Sequence, residues 1–161
     1  MSDGTFDIGD NSNQIYLRGS WDMSNSLGSA FNGRTSTFTG CPQIIMNADD
    51  VGSQYIYLQS GETYAFDSIA FGDINTAESN DYYLSSVGGT PATIAPDSFL
   101  MVLSGTVHTK DSSNPAVNIN DTTGNVWVGD EFTEDNARAK IFNAYDSTIT
   151  ADSMYITDGK T

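Results

Sequence analysis

The chain has 161 residues, which is enough for one domain with a buried core. Its 21 acidic residues outnumber the 6 basic ones, giving a formal net charge of −15. Such an excess of negative charge repels phosphate groups, and nucleic-acid binding needs clustered Lys and Arg. The composition therefore excludes DNA, RNA and anionic membranes as direct partners. It also predicts that salt or divalent cations stabilise the fold, as in proteins of saline or halophilic origin.

The N-terminal region carries no strand pattern, so residues 1–12 are predicted to form an extended arm and residues 13–161 a single all-β domain. The chain opens without a basic segment followed by an apolar one, which predicts no cleaved signal peptide. The longest apolar run, residues 99–103, is far too short to cross a bilayer.

Residues 54–66 predict a two-residue hairpin, since two alternating runs flank the turn pair Ser60-Gly61. The register of this hairpin places four aromatic side chains on one face, namely Tyr55, Tyr57, Tyr64 and Phe66. Both faces are apolar enough to be covered, so we expect the hairpin to be central.

A second hairpin is predicted over residues 117–128, with a loop at 121–124. Its register points one set of side chains into the core: Val117, Ile119, Val126 and Val128. The opposite face carries Asn118, Asn120, Asn125 and Trp127. An outward Trp among asparagines is typical of a protein interface or a sugar platform, to which Tyr82 and Tyr83 are candidate additions. The alternative is that a second sheet or the N-terminal arm covers this face and makes Trp127 part of the core.

Further short strands are predicted at 14–18, 35–39, 43–47, 68–71, 82–86, 98–109, 139–143 and 148–157. No segment has a convincing helical period. Turn signals every 8–12 residues favour an antiparallel β-sandwich of the jelly-roll type. The alternative is a short right-handed β-helix or solenoid, because residues 116–135 can be overlaid on residues 139–158 at an offset of 23.

The sequence contains no recognisable catalytic set. Its one histidine, His108, lies in an alternating strand, and no phosphate-binding loop is present. Calcium is the one candidate cofactor, because Asp73, Asn75 and Glu78 offer oxygen ligands at short spacing. The alternative for these three residues is a turn-forming role. The sequence therefore predicts a protein that is not an enzyme.

We expect a structural or interaction protein on the surface of a virion: a capsid decoration protein, or one associated with a phage tail or fibre. Its partners would be capsid or tail proteins and further copies of itself. An acidic surface argues against a shell protein that lines packaged, negatively charged genome. A β-rich, hydroxyl-rich chain with no predicted signal peptide fits a protein of a particle that is assembled in a cytosol and exposed after lysis. The alternative is a carbohydrate-binding or adhesin-type β-sandwich module, extracellular, with Trp127 and the tyrosines as its platform. A polysaccharide-cleaving enzyme on a β-helix is the third hypothesis.

Overall fold

The structure is a computed structural model that describes residues 6–7, 14–17, 19–24, 31–32, 43–46, 53–72, 80–129, 140–142 and 147–156. These residues include thirteen strands and no helix: β1 (Phe6–Asp7), β2 (Gln14–Leu17), β3 (Trp21–Met23), β4 (Phe31–Asn32), β5 (Gln43–Met46), β6 (Ser53–Gln59), β7 (Thr63–Phe71), β8 (Asp81–Val87), β9 (Ala92–Val102), β10 (Thr106–His108), β11 (Val117–Val128), β12 (Lys140–Phe142) and β13 (Ile149–Ile156).

The strands form two large sheets, and the chain passes back and forth between them. One sheet has six strands in the order β2-β5-β7-β9-β11-β13, and the other has five in the order β3-β6-β8-β10-β12. A small sheet pairs β1 with β4. Each return to the six-stranded sheet adds a strand beside the previous one, so the described chain is a solenoid in which one strand from each sheet makes a rung.

The prediction of an antiparallel jelly-roll sandwich is wrong, because every pairing between described strands is parallel. Stacked parallel rungs are what the β-helix alternative describes, and the right hand of that helix stays a prediction. The offset of 23 is also wrong. In the six-stranded sheet Gln43 pairs with Ser68, Ser68 with Phe99, Phe99 with Asn125 and Asn125 with Ser153, so a rung takes 25 to 31 residues.

The first predicted hairpin is in fact a corner between the sheets. A turn does form at Ser60-Gly61, where Gly61 has φ 77° and the amide of Glu62 donates to the carbonyl of Gln59 at 3.3 Å. However, β6 before the turn pairs with β3 and β8, whereas β7 after it pairs with β5 and β9. Tyr64 consequently points into the core, while the side chain of Phe66 lies outside the described part.

The second predicted hairpin is one continuous strand, β11, whose register to β9 shifts between Ile119 and Asn125. The buried face was nonetheless predicted correctly, since two apolar side chains on each side of the shift are buried: Val117 and Ile119 before it, and Val126 and Val128 after it. Alternation along each half of a strand gives the same buried face whether its neighbours are parallel or antiparallel.

The inward faces of both sheets pack into one hydrophobic core. Its central members have no exposed surface, and they include Leu58, Tyr64, Ile69, Phe71, Leu84, Ile94, Leu100, Val102, Val107, Ile119 and Val126. Five apolar residues of the first and last rungs pack against this core and are only partly buried, namely Leu17, Trp21, Ile141, Ile149 and Ala151, whereas Met23 in the first rung has no exposed surface. Several apolar residues in the first and last rungs of the described core are thus less completely buried than those in the rungs between them.

A close backbone contact at the corner before β10 holds two successive rungs together. Gly105 has φ 77°, and a Cβ at this position would lie 2.5 Å from the carbonyl oxygen of Asn80. That carbonyl accepts a hydrogen bond from the amide of Thr106 at 2.8 Å. Only glycine lets the backbone of one rung pass so close to that of its neighbour.

Candidate binding surface on the five-stranded sheet

The outer face of the five-stranded sheet carries four ring side chains side by side, which we call the aromatic row: Tyr55 and Tyr57 from β6, Tyr83 from β8 and His108 from β10. Strand alternation places them outward, because Ile56, Leu84 and Val107 between or beside them are buried. Tyr55 pairs in register with Tyr83, and Tyr83 with His108, so three successive rungs each contribute one ring at the same position.

The four rings are nearly parallel to one another. The centroids of Tyr55 and Tyr57 lie 5.5 Å apart at 3° between planes, and those of Tyr55 and Tyr83 lie 5.2 Å apart at 18°. Tyr83 and His108 are closer, at 4.4 Å and 11°. These separations are typical of offset stacking, in which each ring covers only part of its neighbour. All four side chains are half-buried, so part of the row faces solvent.

Carboxylates border the aromatic row. Asp81 Oδ1 lies 2.9 Å from His108 Nε2, and the Asp81 side chain is 43% exposed. Asp22 is exposed on β3, in register with Tyr57. Burial, reinforced by nearby negative charge, raises the pKa of Tyr57 and of Tyr83 above the ordinary value. Both phenols therefore keep their protons at neutral pH and can donate hydrogen bonds.

A turn following β10 is fixed beside the row by Asp111. Its Oδ1 accepts hydrogen bonds from the amides of Ser113 and Asn114, both at 2.7 Å. Its Oδ2 accepts from the Ser85 hydroxyl at 2.7 Å and from Asn114 Nδ2 at 2.9 Å. Partial burial alone would raise the pKa of Asp111, but these hydrogen bonds outweigh it and lower the pKa below the usual value. The turn is thereby tied to β8.

The structure divides the sequence-predicted platform between the two sheets. Trp127 and Asn125 are half-buried on the outer side of the six-stranded sheet, where Trp127 is in register with Met101. Asn118 and Asn120 lie beyond the register shift, and the Asn118 carboxamide oxygen accepts hydrogen bonds from Thr148. These residues are therefore distributed along β11.

The two candidate tyrosines occupy opposite faces of β8. Tyr82 is 1% exposed and packs against Phe71 with 5.5 Å between ring centroids, whereas Tyr83 belongs to the aromatic row. The structure thus separates Tyr83 from both Tyr82 and Trp127. It brings Tyr83 together with side chains that the sequence did not link to it.

The predicted calcium ligands Asp73, Asn75 and Glu78 lie outside the described residues. Within the described ranges no group of three or more His, Cys, Asp or Glu side chains could hold a metal ion. The calcium site stays a prediction.

The sequence did not predict that Tyr55 and Tyr57 share a surface with Tyr83 and His108. The alternation along β6 does place Tyr55 and Tyr57 on one face, and this part was predicted. Their contacts with Tyr83 and His108 come from rung stacking, which joins residues 25 to 28 positions apart. A sequence signal exists only in retrospect: each ring occupies an equivalent outward position in its alternating strand.

Comparison of the chain with protein-family models, with curated proteins and with solved structures gives no match. In the part of the chain that the structure describes, no helix has the length and apolar character needed to cross a membrane.

Proposed function

We propose that this protein is a non-enzymatic structural component of a larger assembly, located on the exterior of a virion as a capsid decoration protein or a tail- or fibre-associated protein. The observation that supports this proposal best is the incomplete burial of the core at the ends of the solenoid. Apolar side chains that face inward but remain partly exposed are stabilised when another surface covers them.

The last described rung offers a clear example. Ile149 and Ala151 face the core from β13 yet are only partly buried, whereas Ile119 and Val126 on the neighbouring strand have no exposed surface. Among the described strands β13 pairs only with β11, so it is an edge strand. A partner strand laid against β13 would cover both side chains.

The backbone of β13 also has hydrogen-bonding groups suited to such a partner. The carbonyl of Thr148 accepts from the amide of Ile119 at 2.9 Å. Since alternate residues of a strand point to opposite sides, the amides of Ile149 and Ala151 point away from β11. Exposed strand edges of this kind pair readily with another chain. A second copy or a particle protein would use the same edge.

The charge of the chain supports an exterior position in that assembly. With a formal net charge of −15, the protein would be repelled from packaged nucleic acid and would remain soluble on an outer surface. This argument favours decoration of a particle over a lining of its interior.

The test compares the full-length protein with Ala151→Pro and with the matched control Ala151→Val. Proline removes the outward amide of Ala151 while retaining an apolar side chain, whereas valine retains the amide. We expect light scattering after gel filtration to show a defined oligomer for the wild type and for A151V, and a smaller species for A151P with unchanged circular dichroism. A monomeric wild type at all concentrations, in low and high salt, that also fails to co-sediment with particles would contradict the proposal.

A further inference from the structure

We propose that the strand laid against β13 in the assembly is β2 of a second copy, so that copies associate head to tail and their parallel sheets continue from one chain into the next. The inference rests on the proposed function, since it names the partner of the β13 edge. We call β2 and β3 the head end of the solenoid, and β12 and β13 its tail end.

Both large sheets end at the same two ends of the solenoid. The six-stranded sheet runs from β2 to β13 and the five-stranded sheet from β3 to β12, and every pairing within them is parallel. A second copy placed along the solenoid axis therefore brings β2 beside β13 and β3 beside β12 in the direction that the chain already uses. Because a head end meets a tail end, the contact is heterologous.

The register within the six-stranded sheet makes the two ends match in residue type. One column of register partners begins at Ile15 and ends at Met154, and a second begins at Leu17 and ends at Ile156. The strands between them contribute only apolar residues to these columns: Ile44, Ile69, Leu100 and Val126 to the first, and Met46, Phe71, Val102 and Val128 to the second. A second copy that keeps this register places Ile15 beside Met154 and Leu17 beside Ile156, so both apolar columns cross the junction. A slip of one residue would interrupt both columns.

Backbone groups at the head end point toward such a partner. The carbonyl of Met46 accepts from the amide of Gly72 at 2.8 Å, so Met46 faces β7 and its neighbour Ile45 faces β2. In a parallel pair, a residue bonds to the two neighbours of its register partner. The register partner of Ile45 is Tyr16, whose own amide and carbonyl are therefore directed away from β5.

The same geometry holds at the tail end. The amide of Gly129 donates to the carbonyl of Val102 at 2.9 Å, so Gly129 faces β9 and Val128 faces β13. Ile156 is the register partner of Val128, and its backbone groups therefore point away from β11. The β11–β13 register shifts beyond Ala151, so the outward backbone groups belong to odd-numbered residues before the shift and to even-numbered ones after it.

In the proposed register these groups pair in both directions. The amide of Ile156 donates to the carbonyl of Tyr16 of the second copy, and the amide of that Tyr16 donates to the carbonyl of Met154. Partly buried apolar side chains at both ends add to the contact, namely Leu17 and Trp21 at the head end and Ile149 and Ala151 at the tail end. A tail-to-tail contact of β13 with itself would leave the head end uncovered.

The charge of the protein opposes this contact. Each copy carries a formal net charge of −15, and two such copies repel each other. Salt screens this repulsion, since the Debye length falls from about 8 Å at physiological ionic strength to about 3 Å at 1 M. Apolar and backbone groups form the contact, so the association should strengthen as the salt concentration rises.

The experiment measures the mass of full-length variants by light scattering after gel filtration. Tyr16→Pro removes the outward amide of the head end, and Ile156→Pro removes that of the tail end. The matched controls Tyr16→Val and Ile156→Val keep the amide. Edge strands tolerate proline, and circular dichroism checks that each variant is folded.

We expect Y16P and I156P each to be monomeric, and Y16V and I156V to form the wild-type oligomer. An equimolar mixture of the two proline variants should give a species of twice the 17.3 kDa of one chain, because Y16P retains an intact tail end and I156P an intact head end. Molar salt should increase the fraction of this species. If either variant fails to fold, Gln14→Pro or Met154→Pro repeats the test, since alternation directs these amides outward as well.

A mixture that stays monomeric overturns the proposal, and so does either proline variant that keeps the wild-type oligomer. A monomeric I156P beside an oligomeric Y16P would indicate a contact between the β13 strands of two copies instead. A wild type that is monomeric but co-sediments with particles also overturns the head-to-tail contact, yet it leaves the proposed function standing, because a particle protein then covers β13. Only a wild type that neither associates nor binds particles contradicts both proposals.

Discussion

Tyr64 offers a direct test of how the rungs are joined. Its ring is fully buried behind the corner at Ser60-Gly61, and its hydroxyl accepts a hydrogen bond from the amide of Gln59 at 3.0 Å. The same hydroxyl donates to the carbonyl of Met23 at 3.3 Å, which connects β7 to β3 across the core. Burial raises the pKa of Tyr64, so the hydroxyl is protonated at neutral pH and can make both bonds.

Tyr64→Phe removes these two bonds and almost no apolar volume. A backbone amide left without its partner costs about 1–3 kcal/mol when it is fully buried, and the Gln59 amide is only partly buried. The bond to Met23 is long for an O–H donor and contributes less, so the cost comes mainly from the Gln59 amide. We therefore expect a loss of about 1–2 kcal/mol in the free energy of unfolding. For a chain of this size, that loss lowers Tm by roughly 2–8 °C.

Urea unfolding at neutral pH, followed by circular dichroism, measures this change, and the m-value should stay constant because the unfolded surface is the same. Tyr57→Phe is the matched control, since it removes a hydroxyl from the outer face of the neighbouring strand β6. We expect the control to lie within about 0.5 kcal/mol of the wild type. Equal stabilities for Y64F and Y57F would refute the argument that the corner depends on the Tyr64 hydroxyl.

Two further predictions concern the turns that hold the rungs in place. Because the pKa of Asp111 is lowered in the folded state, its contribution to stability is present above the unfolded value and is lost as the pH falls through the folded one. Asp111→Asn should therefore lower Tm at neutral pH, and the difference from the wild type should shrink by about pH 3; a difference independent of pH would contradict this. Gly105→Ala should cost about 2 kcal/mol or more in thermal or urea unfolding, since a positive φ and a contact 2.5 Å from the Asn80 carbonyl add together. Gly89→Ala, where a new Cβ meets nothing within 4 Å, is the control, and equal losses in the two variants would show that the close approach at Gly105 is unimportant.

The buried faces of the strands could be predicted from sequence, because alternation depends only on the strand itself. The sequence predicts Val126 and Val128 in the core, and both are buried although the hairpin predicted around them does not form. Their partners could not be predicted in the same way. A tight turn such as Ser60-Gly61 can reverse a strand within one sheet or redirect it into a second sheet, and the local residues suit both outcomes.

The parallel partners lie 25 to 35 residues away along the chain, and no repeated motif identifies them. For the same reason only part of the aromatic row could be predicted from the sequence. Tyr55 and Tyr57 share a face because they are two residues apart, whereas Tyr83 joins them only through the stacking of β6 on β8. A cluster of side chains that forms through the register between strands of different rungs leaves no local pattern in a single sequence.

The parallel register has a consequence for how the length of this protein can change. Each strand of the two large sheets forms hydrogen bonds only with the strands one rung before and one rung after it. A complete coil of the chain can therefore be removed or inserted while the remaining strands keep the same kind of pairing. Thr63 is in register with Thr93, and removal of residues 63–92 would join Glu62 to Thr93 and place β9 beside β5. Natural variants should therefore differ by complete coils, and each coil lost or gained between β6 and β10 would shorten or lengthen the row of rings by one.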